Sequence, residues 1–194
     1  MGPSTRNPWE GYLPRKAIVM ARQDSVAAPL AALSSCTSCK LRVEGDAQAA
    51  LVFMGEESAG DAEPQSRPFA GKAGELLDKM VEAMGLRRNQ VYLMTFVRCP
   101  GRDAACDSFL SQQLDLIRPK VVVALGAEAT RTLLKSVEPL TSLRGRLQSF
   151  RDYRLMPTWH PEDLLRTPDM KREAWTDLQS VARELGLVIP RKPA

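Results

Sequence analysis

The segment Leu51-Val52-Phe53-Met54-Gly55-Glu56 opens the part of the chain that decides its fold. Its first four residues form an apolar run of the length expected for a strand buried on both faces. From Gly74 to Gly85, apolar residues recur at helical spacing, and Gly85 is typical of a helix end. The loop between them, residues 55–74, is far longer than the roughly 2–6 residues usual in such connections. Because ligands bind beyond the carboxyl ends of parallel strands, we expect this loop to be functional.

Composition limits the class of protein. The chain has 194 residues, of which 44% are hydrophobic, which is enough for one globular domain with a substantial core. A net charge of +4 and a pI near 9.0 are compatible with a polyanionic partner but are common among soluble proteins. No apolar run is long enough for a membrane span, and no signal-peptide pattern is present. We therefore expect a cytoplasmic protein without a membrane partner.

Three regions are predicted along the chain. Residues 1–28 mix prolines with aromatic and basic side chains, which indicates an arm that wraps the domain or is partly disordered. Residues 29–188 are predicted to form a single domain, and residues 189–194 a loose tail.

Strands and helices alternate through the domain. Beyond the first unit, strands are predicted at residues 91–97, 120–126, 147–150 and 154–157, and helices at 108–117, 128–135 and 169–185. This alternation predicts an α/β fold, which we expect to be three layers, α/β/α, around a central, mostly parallel four-stranded sheet.

Four cysteines fall in two close pairs, Cys36 with Cys39 and Cys99 with Cys106. In a reducing compartment such pairs indicate metal ligation before disulfide bonding. The spacing suits either a zinc site or an iron–sulfur cluster, because both accept four thiolates.

His160 is the only histidine, and it lies between a predicted strand and Pro161. An isolated histidine is usually structural. At a strand end that faces a loop, however, it is a candidate catalytic residue.

Several motifs in the same order resemble the iron–sulfur uracil-DNA glycosylases, the family-4 branch of the uracil-DNA glycosylase superfamily, over residues 32–185. The resemblance rests on the cysteine pairs and on the segments Gly55-Glu56, Arg67-Pro68-Phe69-Ala70-Gly71-Lys72-Ala73-Gly74-Glu75-Leu76-Leu77, residues 116–126, Leu143-Arg144-Gly145, Met156-Pro157-Thr158-Trp159-His160-Pro161 and Leu164-Leu165-Arg166.

The resemblance implies a role for each motif. A uracil is flipped out of DNA, Phe69 stacks on it, and His160 stabilises the negative charge that grows on the departing base. A carboxylate of the first loop positions water or balances an oxocarbenium-like sugar. The predicted substrate-binding residues are Gly55, Glu56, Phe69, Thr95 and His160, and the predicted catalytic residues are His160, Asp61 and Glu63.

The same resemblance implies a cofactor and a macromolecular partner. Cys36, Cys39, Cys99 and Cys106 would hold a structural 4Fe–4S cluster. The predicted DNA contacts, through phosphates or by pressing into the duplex, are Arg144, Arg146, Pro161, Leu164, Leu165 and Arg166. We expect a bacterial or archaeal monomer that acts on DNA in the cytoplasm, at the nucleoid.

The sequence departs from the family pattern at four places. The first motif, usually Gly-Glu-Ala-Pro-Gly, is Gly55-Glu56-Glu57-Ser58-Ala59, and Ala62 stands where a carboxylate is expected. Thr95 replaces an asparagine that reads uracil, and the loop from Cys99 to Cys106 is shortened. Two functions therefore remain open: a glycosylase that removes uracil or a related deaminated base, and a non-catalytic or differently specific member that binds DNA or an altered base.

Overall fold

A computed structural model describes residues 41–56, 67–96 and 104–190, with the backbone alone for residues 104–109. The strands in these ranges form one six-stranded sheet of order β1-β3-β2-β4-β6-β5. They are β1 (Leu41–Gly45), β2 (Leu51–Glu56), β3 (Tyr92–Phe96), β4 (Val121–Leu125), β5 (Gln148–Phe150) and β6 (Tyr153–Thr158). The four central strands, β3-β2-β4-β6, are parallel, which confirms the predicted mostly parallel sheet. The sheet has six strands where four were predicted, because two antiparallel strands lie at its edges: β5, which corresponds to the strand predicted at residues 147–150, and β1, which was not predicted.

The central strands are buried on both faces, as their apolar runs predict. Every residue of β3 and β4 is buried, and in β2 only Glu56 is partly exposed. Side chains alternate between two cores: Leu51 and Phe53 belong to one, and Val52 and Met54 to the other. This alternation follows from the two-residue period of a strand.

Helices cover both faces and complete the three predicted layers. They are α1 (Gly71–Ala83), α2 (Ala104–Ile117), α3 (Gly126–Leu134), α4 (Leu140–Leu143), α5 (Pro161–Arg166) and α6 (Lys171–Glu184), with 3₁₀ turns at Arg88–Gln90 and Pro168–Met170. Helices α1, α5 and α6 contribute buried side chains to the core that contains Phe53, whereas α2 and α3 contribute to the core that contains Met54. Within the described ranges, no helix is both long and apolar enough to cross a membrane.

The parallel strands direct their carboxyl ends to one edge of the sheet. Across this edge the register aligns Thr95 of β3, Gly55 of β2, Leu125 of β4 and Thr158 of β6 in one row. The segments that follow these strands are brought together there, which is the usual place for a ligand site in a sheet of this kind.

Candidate active site

Two ring side chains meet at this edge, over the end of β2. The ring centroids of Phe69 and His160 lie 6.0 Å apart, with their planes inclined by 36°. Both rings lie against Gly55, because a Cβ atom there would stand 2.8 Å from Phe69 Cε1 and 3.2 Å from His160 Nε2. Any side chain at position 55 would collide with the phenylalanine ring. The glycine predicted to bind substrate therefore lets both rings approach the strand end.

The start of α5 orients the His160 imidazole. His160 is the N-cap residue of this helix, and its Nδ1 accepts a hydrogen bond of 3.3 Å from the backbone N–H of Glu162. Because Nδ1 accepts, we assign the proton of the neutral ring to Nε2. Nε2 is also the atom that faces Gly55. His160 thus presents an N–H donor towards the strand end, where it can stabilise negative charge on a ligand.

A second glycine brings β4 close to the histidine. Gly126 follows β4 directly and has a φ of +88°, and a Cβ atom on it would lie 3.1 Å from His160 Cβ. Position 126 therefore combines a left-handed backbone with a close contact, and both favour glycine. The sequence pattern places Gly126 only at the end of the strand predicted over residues 120–126. A glycine directly after a buried parallel strand is the signal that could have placed it at the site.

The backbone of Phe69 adopts an unusual conformation. Its φ is +52°, in the left-handed region, which costs a non-glycine residue about 1–3 kcal/mol and persists only where the surrounding structure enforces it. The Phe69 carbonyl packs directly against Gly74 of α1, where a Cβ atom would stand only 1.8 Å from the carbonyl oxygen. Gly74 therefore has a structural reason to be glycine. Backbone strain of this kind is typical of functional sites.

Thr95 places a hydroxyl in the same row. It pairs in register with Gly55, is 1% exposed, and its Oγ1 has no hydrogen-bond partner among the described residues. At the other end of the row, the buried hydroxyl of Thr158 donates to Asp177 Oδ2 at 2.6 Å. A buried hydroxyl without a partner is unfavourable by about 1–3 kcal/mol. Thr95 therefore has an unused hydrogen-bonding group to offer a ligand at the predicted reading position.

Arg144 is held by carboxylates at the end of β6. Its Nη2 lies 3.0 Å from Oδ2 of Asp177, its Nη1 lies 3.1 Å from Oε2 of Glu173, and its guanidinium lies over the ring of Trp159. The side chain is 15% exposed and engaged by these contacts, and its predicted phosphate contact stays a prediction. Burial raises the pKa of Asp177, and the hydrogen bonds from Thr158 and Arg144 oppose this shift.

Sequence reasoning missed Asp177 altogether. A single acidic residue in an amphipathic helix is normally interpreted as part of the solvated face. In α6, Asp177 instead lies among the buried residues, together with Leu178 and Val181.

The residues in and near helix α5 that were predicted to contact DNA differ in their exposure. Leu164 is fully buried in the core, so its predicted insertion into the duplex is corrected: it is a packing residue. Pro161 is buried as well, whereas Leu165 is 41% exposed. Arg166 is exposed and forms ion pairs with Glu162 and Asp163 of its own helix. Arg146 is exposed at the turn that follows Gly145.

Several predicted site residues lie outside the described ranges. Asp61, Glu63, Cys36, Cys39 and Cys99 are among them, and Cys106 lies in the first turn of α2 without a described side chain. Glu56 is described, partly exposed, at the end of β2 beside Gly55. Among the described residues, no group of three or more His, Cys, Asp or Glu side chains could hold a metal ion.

Comparison with known proteins identifies the class. Residues 43–179 match the family model of the Uracil DNA glycosylase superfamily, and the chain therefore belongs to this superfamily. Within it, the chain is similar to proteins named type-4 uracil-DNA glycosylase. The protein from Sulfurisphaera tokodaii is 31% identical over 81% of this chain and 83% of its own length, and that from Thermotoga maritima is 32% identical over 76% and 88%. The Archaeoglobus fulgidus protein is 26% identical over 79% and 90%.

Proposed function

We propose that the protein is a DNA-repair glycosylase that hydrolyses the N-glycosidic bond of uracil, or of a related deaminated base, in DNA. The observation that carries this proposal is the meeting of Phe69 and His160 over Gly55 at the carboxyl edge of the sheet. An aromatic ring beside an N–H donor matches what a flipped base needs, namely a stacking surface and a group that stabilises its charge. The similarity to type-4 uracil-DNA glycosylases supports the same substrate.

The proposed reaction breaks the bond between C1′ of the deoxyribose and the base nitrogen. The bonding electrons leave with the base, and the Nε2–H of His160 stabilises the negative charge that develops on a base oxygen. Water adds to C1′ and releases a proton to the solvent, and the departed base anion takes up a proton from the solvent, so that the products are the free base and an abasic site. A carboxylate of the first loop, Asp61 or Glu63, would orient this water, as the resemblance implies.

The non-catalytic alternative is not favoured, because both ring residues are present and close together and the relatives carry the name of an active enzyme. Base preference is a separate matter. Thr95 offers one hydroxyl where the family pattern has an amide, so this chain is expected to read the base edge less stringently.

The proposed DNA surface surrounds the mouth of the site. Leu165 is the exposed apolar side chain of α5 and would enter the space vacated by the base, and Arg146 and Arg166 would contact phosphates. We further propose that the protein acts as a cytoplasmic monomer at the nucleoid of a bacterium or archaeon.

The proposed cofactor is a 4Fe–4S cluster held by Cys36, Cys39, Cys99 and Cys106. The antiparallel register pairs Leu41 of β1 with Phe96 of β3; Cys39 precedes Leu41 by two positions, and Cys99 follows Phe96 by three. The segments that carry Cys39 and Cys99 therefore adjoin the same end of the β1–β3 ladder, which supports the proposal of a shared centre. The cluster would have a structural role, joining segments that are distant in the sequence.

A strand-cleavage assay tests the function. A uracil-containing oligonucleotide is incubated with the protein and treated with alkali, which cleaves the strand at abasic sites. We expect cleavage at the uracil, none with thymine at the same position, and a large reduction with Phe69→Ala. Cleavage that is equal for uracil and thymine, or the absence of cleavage for every deaminated base offered, would refute the proposal.

A further inference from the structure

We infer that Arg88, together with Glu44, is a positioning residue that holds the Phe69 ring in the site. The importance of that ring for catalysis rests on the function proposed above. The contacts of Arg88 and Glu44 with the loop that carries Phe69, which we call the clamp, are a feature of the structure alone. Arg88 lies in a 3₁₀ turn before β3, and Glu44 lies on edge strand β1.

Arg88 joins three segments of the chain. Its Nε and Nη2 each donate at 3.0 Å to the two carboxylate oxygens of Glu44, and its Nη1 donates at 2.7 Å to Asp78 Oδ1 on α1. Its Nη2 also donates to the carbonyl oxygen of Pro68 at 2.6 Å. The guanidinium is only 14% exposed and ties the edge strand and helix α1 to the peptide that precedes Phe69.

Glu44 also binds Arg67, which belongs to the same loop. Its carboxylate accepts from Nε of Arg67 at 3.2 Å and from Nη2 of Arg67 at 2.9 Å. Partial burial by itself would raise the pKa of Glu44, but the hydrogen bonds from Arg88 and Arg67 outweigh it and lower the pKa to about 2. Two forked arginine contacts on one carboxylate fix geometry as well as charge.

The clamp acts where the loop needs support. Phe69 has a φ of +52°, and its carbonyl is already held by the close approach of Gly74. Gly74 restrains the loop downstream of Phe69, and Arg88 restrains it upstream at Pro68. With both restraints, the strained residue keeps the single conformation that directs its ring towards His160. A misplaced ring would lower activity without any change in the reacting groups, because displacements of about 1 Å can cost roughly 100-fold in rate.

The primary test is hydrogen exchange of the intact protein, which requires no activity. In Arg88→Met we expect amides of residues 69–74 to exchange at least about 10-fold faster, while those of Val121–Leu125 in β4 remain unchanged. Arg88→Lys should also loosen the loop, because an ammonium group cannot reproduce the fork. The matched control is Arg151→Met, which breaks an arginine–carboxylate pair with Asp115 remote from the site. If Arg88→Met does not fold, Glu44→Gln provides the same measurement.

Single-turnover excision adds a double-mutant cycle. If Arg88 acts through Phe69, Arg88→Met should lower the rate by about 10- to 100-fold in the unaltered protein and have little further effect in Phe69→Ala. Unchanged exchange in residues 69–74, or an equal increase in β4, would overturn the inference. Faster exchange of residues 69–74 in Arg88→Met, together with no excision of any base by the unaltered protein, would refute the proposed function and leave the inference intact. The two failures are therefore distinguishable.

Discussion

At the scale of single residues, His160 combines two roles that a substitution can separate. Its Nδ1 caps α5, and its Nε2 faces the site. His160→Ala removes both groups. His160→Asn keeps a side chain that is well suited to capping a helix but lacks the distant donor.

We expect both variants to lower the single-turnover rate of excision by about 10²- to 10³-fold with little change in DNA affinity, since the interaction strengthens only as charge develops. The Asn variant should melt closer to the unaltered protein than the Ala variant does. An equal loss of affinity and rate would make His160 a binding residue.

We propose that Thr95 determines how strictly the base is read. An asparagine amide offers a donor and an acceptor together, whereas a hydroxyl offers one oxygen that rotates to suit its partner. We therefore predict weak uracil excision by the unaltered chain, more tolerance for other deaminated bases than in its relatives, and a gain in uracil excision in Thr95→Asn.

The matched control is Thr95→Val, which keeps the shape and removes the hydroxyl. Because Oγ1 has no partner among the described residues, this variant should be at least as stable as the unaltered protein, yet no better at excision. Robust uracil excision that Thr95→Asn does not improve would show that Thr95 is not at the reading position.

At the scale of elements, α5 offers two adjacent leucines with opposite environments. Leu164 is fully buried and Leu165 is 41% exposed. Leu164→Ala should reduce stability by about 2–5 kcal/mol, as expected for a buried cavity. Leu165→Ala should leave the melting temperature unchanged and lower excision from duplex DNA more than from single strands, where no vacated stack needs filling. Equal effects of Leu165→Ala on both substrates would argue against insertion into the duplex.

The ion pair that joins α6 to the end of β6 is expected to matter for stability. Asp177→Ala leaves the largely buried Arg144 without its main partner, which typically costs about 3–5 kcal/mol. For a chain of this size that corresponds to a fall of roughly 6–20 °C in melting temperature. The control, Asp115→Ala, breaks an exposed pair with Arg151 and should change stability by less than about 1 kcal/mol. Similar melting temperatures for the two variants would contradict this prediction.

The elements differ in how well they can be predicted from the sequence. Strands β2 and β4 are predictable because burial on both faces requires a continuous apolar run. The edge strand β1, Leu-Arg-Val-Glu-Gly, has no such run, since most of its residues are partly exposed. Leu164 could not be separated from Leu165 because a helix of six residues is too short to show a period. Asp177 and Arg88 depend on partners far away in sequence, and local patterns carry no trace of them.

At the scale of the whole molecule, the proposed cluster would join the segment before β1 to the segment after β3. The purified protein should be brown and contain iron and acid-labile sulfide in equal amounts. Cys99→Ala should lose the cluster and lower the melting temperature broadly, since a lost ligand releases two distant segments. Stoichiometric zinc without sulfide, in protein purified from cells grown without added metal, would contradict the assignment.

The pairing of β1 with β3 has a consequence for solubility. All five residues of β3 are buried, and β1 covers the outer backbone groups of that strand. In β1 itself, Arg42 and Glu44 place charges on the edge of the sheet, where an uncovered apolar strand would invite pairing with a second molecule. If β1 detached, β3 would offer exposed hydrogen-bonding groups on an apolar strand. Five residues with little apolar character of their own therefore keep the sheet from propagating into an aggregate.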